Sequence, residues 1–179
     1  AIKGGKFHET LKDNTKNAII NTISSTGARV IGNAYHQQEI NYLTHKFYHA
    51  VNGAVAGILL DGKNGAIAGA IGAVTAEVYL DDWEKGAQGK LQDQCITAAQ
   101  EQEHKTGKKL SPEEFQKLSK NIIEKELLKA KISSSIAAAI FNHNPDTALL
   151  TASHATENNM IPMLVIAGMT LWEAYDIYH

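Results

Sequence analysis

The chain has 179 residues, 44% of them hydrophobic, and its 17 Lys and Arg against 19 Asp and Glu leave a net charge of -2. That length allows one packed domain with a real core, or one domain plus a fragment of a second. The mixed, dispersed charges argue against a nucleic-acid surface or one that seeks anionic membranes, and with one cysteine, Cys95, there is neither an internal disulfide nor a cysteine-based metal site.

The sequence begins Ala-Ile-Lys, carries no signal peptide and stops after an apolar stretch, so both ends read as cut from something longer. Only three prolines, abundant alanine and the lack of any sustained period-two alternation predict an all-α fold.

In chain order, Phe7, Leu11, Ala18, Ile19 and Ile23 fall at loose helical spacing, with Ser24-Ser25-Thr26-Gly27 as a breaker and a short helix after it. A long helix is expected from Gln37 to Leu60. Its apolar stripe Ile40, Leu43, Phe47, Val51, Val55 and Ile58 would face the core. Asp61 to Gly65 reads as a turn, with Asn64 capping a second helix that runs to about Trp83. Glycine recurs at helical spacing in both halves, at Gly53 and Gly57 and then at Gly65, Gly69 and Gly72. Each glycine costs a helix roughly 1 kcal/mol relative to alanine. Repeating it therefore implies a compensating gain, the close approach of two helix backbones. Residues 43–77 are thus expected to form a tight helical hairpin around which a compact bundle packs.

Beyond the charged boundary at Asp81 to Gly86, Gln88 to His104 is amphipathic through Leu91, Cys95, Ile96 and Ala99, and Thr106-Gly107 closes it. Ser111-Pro112-Glu113-Glu114 is a capping box, opening a helix that carries Phe115, Leu118, Ile122, Leu127 and Leu128. Asn142 to Asp146 is the next boundary, with Asp146 capping a helix to about Ala155. Ile161 to Tyr178 is apolar but has only about a dozen nearly uncharged residues, short of the roughly 20 that cross a bilayer. A buried or interfacial helix opening a new module is expected there.

His45 and His49, four apart, share a helix face and could hold zinc given a third ligand. The glutamate that follows the first histidine of a zinc hydrolase is replaced by Lys46. The favoured reading is a polar lock between the hairpin helices, made by His45, His49, Asn52 and Glu77, with no metal and no cofactor. Burial would raise the pKa of Glu77 unless His49 or a helix end offsets it. No nucleophile elbow, phosphate loop or acid–base carboxylate pair is present, so an ordinary enzyme is not expected. At Glu157-Asn158-Asn159, an asparagine amide can attack its own backbone carbonyl and cleave the chain, with His154 and Glu157 close in sequence. The competing reading of these residues is an inter-module turn.

The sequences LTHKFYHAVNGAVAG and GAIAGAIGAVTAE, then ATENN after a helical stretch, together resemble the pretoxin region of contact-dependent growth inhibition proteins. These are filamentous-haemagglutinin-like exoproteins of Gram-negative bacteria, exported by two-partner secretion. In that family the pretoxin region ends at a Val-Glu-Asn-Asn (VENN) motif, followed by a variable toxin; here Thr156 stands in the place of valine. The resemblance spans Ile40 to Asn159. It implies a secreted or cell-surface region between stalk and toxin, acting in export arrest, delivery toward the target periplasm or toxin release. Its partners would be the rest of the exoprotein, the C-terminal toxin and the target-cell envelope. The immunity protein would bind the toxin instead of this region, and nucleic acid would not be a partner. The chain then divides into an N-terminal helical segment (1–36), the pretoxin domain (37–159) and the start of a toxin or entry module (160–179). Two alternatives stand beside the carrier reading: self-processing at Glu157-Asn158-Asn159, and a membrane-active hairpin that aids translocation.

Overall fold

A computed structural model describes residues 4–85, 90–159, 171–173 and 175–176. Five α-helices account for most of them: α1 (Gly4–His36), α2 (Tyr42–Lys85), α3 (Lys90–Thr106), α4 (Pro112–Ile140) and α5 (Pro145–Asn159). No strand occurs among the described residues, and the all-α expectation holds. α2 packs along α5 and α4, α1 covers α2 and α5, and α3 lies against α4.

α1 runs unbroken through Ser24 to Gly27, where a break was expected. Ser24 is buried against the neighbouring helix, and the missing side chain of Gly27 makes room for the Asn52 amide. The helix ends at a left-handed Gln38 (φ 60°), where the Glu39 amide donates to the Ala34 carbonyl. Asn41 then caps α2 by accepting from the Thr44 amide at 2.9 Å. α2 therefore starts five residues later than its apolar pattern indicated.

α2 is a hairpin. Only Asp61 (φ -133°, ψ 26°) and Gly62 (φ 61°, ψ -151°) leave helical geometry, so its arms are residues 42–60 and 63–85. The left-handed φ of Gly62 is one that glycine adopts without strain. Asn64 and Gly65, expected in the turn, already lie in the second arm. The tip is tied to the start of α5 by Asn144, whose amide donates to Asp61 Oδ2 at 3.1 Å. Asn144, and not Asp146, caps α5, accepting from the amides of Asp146 and Thr147.

The arms meet backbone to backbone. A Cβ built on Gly53 would strike the Gly69 carbonyl oxygen, and one on Gly57 the Gly65 carbonyl oxygen; the reverse contacts are equally close. Gly72 belongs to a different contact, lying against Ala148 and Thr151 of α5. Around these glycines the core is made of small side chains, with Ala56, Ala68, Ala73 and Ala76 all buried.

The apolar stripe of the first arm faces outward, against expectation. Leu43 is 77% exposed and Phe47 63%, and Val51, Val55 and Ile58 are also exposed. The reason is angular: Leu43, Phe47, Val51 and Val55 each precede His45, His49, Gly53 and Gly57 by two residues, about 200° around a helix. Once the glycine face is inside, that stripe must be outside. α1 behaves alike, burying Ile20, Ser24 and Ala28 and exposing Ile19 and Ile23; the Phe7 and Leu11 side chains lie outside the described residues.

The opposite end of the molecule has a conventional core: Leu80, Leu91, Cys95, Ala99, Leu110, Phe115 and Leu127 are buried together. The capping box forms as expected, the Glu114 amide donating to Ser111 Oγ at 3.2 Å and the Ser111 amide to Glu114 Oε2 at 2.8 Å. These bonds hold the Glu114 carboxyl below its usual range. α4 continues through Ser133-Ser134-Ser135, with Ser134 buried and donating to the Ala130 carbonyl. Of the apolar segment 161–178, only residues 171–173 and 175–176 are described. They are helical and seal this core: the Tyr175 ring stacks on Phe115 at 4.8 Å and Trp172 meets it edge-on at 5.6 Å. Burial and a hydrogen bond to Glu103 push the Tyr175 phenol up to about 12.

Candidate functional site

Two arms that touch through glycine leave space for larger groups only at their open end, and polar residues fill it. The pairing that sets Gly57 on Gly65 and Gly53 on Gly69 continues by one helical turn per step, placing His49 beside Ala73 and His45 beside Glu77. His45, His49 and Glu77 are 2%, 0% and 2% exposed. The two Nε2 atoms lie 3.1 Å apart. With both rings neutral, one imidazole carries its proton on Nε2 and donates to the other. Glu77 reaches across from the second arm, its carboxylate oxygens 3.9 Å from His45 Nε2 and 3.8 Å from His49 Nε2.

Lys46 completes the cluster and was not anticipated in it. Its ammonium sits 3.5 Å from Glu77 Oε2 and pairs with Asp81, one turn further along the second arm. It also lies over the Tyr42 ring, 5.2 Å from the centroid. Tyr35, from the end of α1, stacks flat on His45 at 4.2 Å. Burial, with His45 and the Lys46 charge adding to it, lowers the His49 pKa to about 3, so its ring is neutral at physiological pH. The signal for Lys46 and Asp81 was present in the sequence: both lie one position or one turn from a lock residue, and their opposite charges match across the arms.

Asn52 stands apart from this cluster. Its amide donates at 2.9 Å to the Ser24 carbonyl, so it fastens the hairpin to α1 instead of one arm to the other. Its position one residue before Gly53, about 100° around the helix from the inter-arm face, accounts for the difference.

The Glu157-Asn158-Asn159 motif lies in the last turn of α5, where the sequence indicated an inter-module turn. Glu157 is ion-paired with Lys131 of α4. Thr156 is fully buried and its hydroxyl donates to the Ser153 carbonyl at 3.2 Å. A β-branched side chain of valine's shape thus fits the site, with the hydroxyl satisfied locally. The pKa of half-buried His154 is lowered by burial, partly offset by Glu157. The side chains of Asn158 and Asn159, the candidate cleavage residues, lie outside the described residues.

Residues 1–73 match a family model described as a possible hemagglutinin (DUF637). This part of the chain is haemagglutinin-like. The match supports a region of a filamentous-haemagglutinin-type exoprotein, a class that is secreted or held at the cell surface. It covers α1, the first arm, the tip and the facing glycines, and it ends before Glu77. No curated protein and no solved structure shows significant similarity to the chain.

Proposed function

We propose that this chain is the pretoxin region of a haemagglutinin-like contact-dependent growth inhibition exoprotein. In this reading it is a helical carrier without catalytic activity of its own, which links the stalk to a C-terminal toxin and supports presentation, delivery and release. The observation that carries the proposal is the haemagglutinin-like match over residues 1–73, running into the glycine hairpin, together with an acidic-Asn-Asn motif at the end of the last long helix. Its partners are the remainder of the exoprotein, the toxin and the target-cell envelope; the immunity protein belongs to the toxin. Residues 37–159 form the carrier unit, and residues from 160 onward lead into the toxin or entry module.

Deleting residues 37–159 from the parent exoprotein tests this reading. Killing of target cells on contact should be lost, while the free toxin expressed inside a cell stays active. Undiminished killing by the deleted exoprotein, or a nuclease or hydrolase activity mapping to residues 37–159, contradicts it.

One observation favours a second reading, in which the hairpin acts on a membrane. Tyr42–Asp81 contains an 18-residue stretch with a mean hydropathy of 1.2, apolar enough by length and composition to cross a membrane, and the bulky apolar side chains of the first arm face outward over an alanine and glycine interior. Insertion would require the hairpin to open and carry Asp61 and Lys63 across the bilayer, a cost of several kcal/mol. Leakage from anionic liposomes that stops when the two arms are joined by an engineered disulfide supports this reading. Leakage that persists in the joined protein removes the opening mechanism.

A further inference from the structure

We infer that His45, His49 and Glu77 form a zinc site that clamps the two arms of the α2 hairpin at their open end. The site stands on geometry that the carrier reading does not use, and it holds whether or not the chain precedes a toxin.

Two nitrogens bound to one tetrahedral zinc, each about 2.0–2.1 Å from the ion, stand about 3.3 Å apart. His45 Nε2 and His49 Nε2 are 3.1 Å apart, close to that spacing. Glu77 supplies an oxygen from the other arm, and the three donor atoms lie within 4.8 Å of one another. Each nitrogen has a different Glu77 oxygen nearest to it, Oε2 at 3.9 Å from His45 and Oε1 at 3.8 Å from His49, so the carboxylate must turn and close by about an ångström to bring one oxygen into a ligand triangle. That is within reach of a rotation about the glutamate side chain. Two imidazoles and one carboxylate suit zinc and its late first-row neighbours, and not magnesium or calcium, which take oxygen ligands.

The surroundings favour an ion in two ways. All three side chains are buried, so bulk water does not compete for them. Tyr35 stacks on His45 and fixes its ring plane. The Lys46 ammonium opposes the ion because it also approaches Glu77. Asp81 draws that charge toward itself, and Glu77 Oε1 lies nearest His49 while Oε2 is shared between His45 and Lys46.

Such an ion would join a pair of residues on the first arm to one on the second that is 28 and 32 positions further along the chain. It would hold the hairpin closed where the glycine contacts no longer reach. The chemistry is structural: among the described residues, the Lys46 amine beside the ligands is held as an ion pair by Glu77 and Asp81.

The whole chain, stripped with a chelator and then exposed to a small excess of zinc and desalted, should retain one zinc per molecule by mass spectrometry of the elements. Cobalt(II) should give the visible absorption of a tetrahedral ion with nitrogen and oxygen ligands. The thermal midpoint should rise by several degrees on adding zinc. Glu77→Gln and His49→Gln should each lose the bound ion and the midpoint shift, whereas His104→Gln, on the exposed face of α3, should keep both. If His49→Gln fails to fold, the cobalt spectrum of the unaltered protein and the Glu77→Gln variant decide the matter. Absence of retained zinc in the unaltered protein, or zinc retained equally by both variants, overturns the assignment.

Discussion

Gly57 and Gly65 exclude each other's side chains: a Cβ on either residue would fall closer than 3.0 Å to the carbonyl oxygen of the other. This contact sets the distance between the arms of α2, and every other feature of the hairpin follows from it. With the backbones touching, large apolar residues cannot fit between the arms and are displaced to the outer face. The polar residues at the open end, where the paired positions are His45 and Glu77, are brought within reach of each other.

Replacing Gly57 or Gly65 by alanine should therefore destabilise the protein, even though alanine is the better helix former by about 1 kcal/mol. Overpacking of this kind costs about 1–3 kcal/mol, and here the obstructing atom is backbone that cannot swing away. Urea unfolding of the two variants checks the expectation: both midpoints should fall, and a rise in either would show that the arms separate easily.

The outward stripe predicts an unusual mutational contrast. Phe47→Ser and Leu43→Ser should change stability by no more than about 0.5 kcal/mol, as at other exposed positions. Phe115→Ala, in the aromatic core, should cost about 3–5 kcal/mol. Denaturant midpoints measured side by side test this, and a large loss at Phe47 would mean that the stripe is covered in solution.

Lys46 is buried between Glu77 and Asp81, so Lys46→Ala removes one partner and leaves two carboxylates in a dry site. Breaking a buried ion pair in this way costs roughly 3–5 kcal/mol. The double variant Lys46→Met with Asp81→Leu should recover part of that loss, because it removes one of the two orphaned carboxylates as well. Thermal midpoints of the single and double variants provide the comparison.

Acid should loosen α5. The folded-state pKa of His154 lies below its ordinary 6.5, chiefly through burial. The unfolded chain therefore binds a proton that the folded chain does not, and His154 contributes stability above about pH 6.5 that is lost as pH falls toward the lowered folded value. Denaturant midpoints followed from neutral pH downward should show a decline that is shallower in His154→Gln. An identical slope in the variant would assign the acid lability to other groups.

Much of this fold is legible in the sequence. The capping box at Ser111, the stop at Gly107 and the hairpin itself follow from local chemistry, because caps, left-handed turns and repeated glycines each impose a single geometry. The orientation of α2 is less plain: its first arm has two candidate inner faces, one apolar and one small and polar, and a hydrophobic pattern alone selects the wrong one. The two-residue offset between Leu43 and His45, combined with the close approach that the glycines demand, is enough to choose correctly. In the candidate site, His45, His49 and Glu77 come together as their spacing indicated. Asn52 does not join them, because its partner is a backbone carbonyl of α1 that no pattern in the sequence marks. The extension of α5 through Asn159 was hidden for a similar reason. Asparagine pairs signal a turn, but the Lys131 contact and buried Thr156 anchor the last helical turn against α4 and its neighbours.

The proposed carrier does not cleave its own chain at Glu157-Asn158-Asn159, which close α5 in helical conformation. Intact mass of the chain extended through its downstream toxin, followed over time and across pH, tests the claim most directly. A single unchanged mass is expected in the isolated protein. A new N-terminus after Asn158 or Asn159, abolished when that asparagine is replaced by alanine, would contradict it and make the region a self-cleaving release domain.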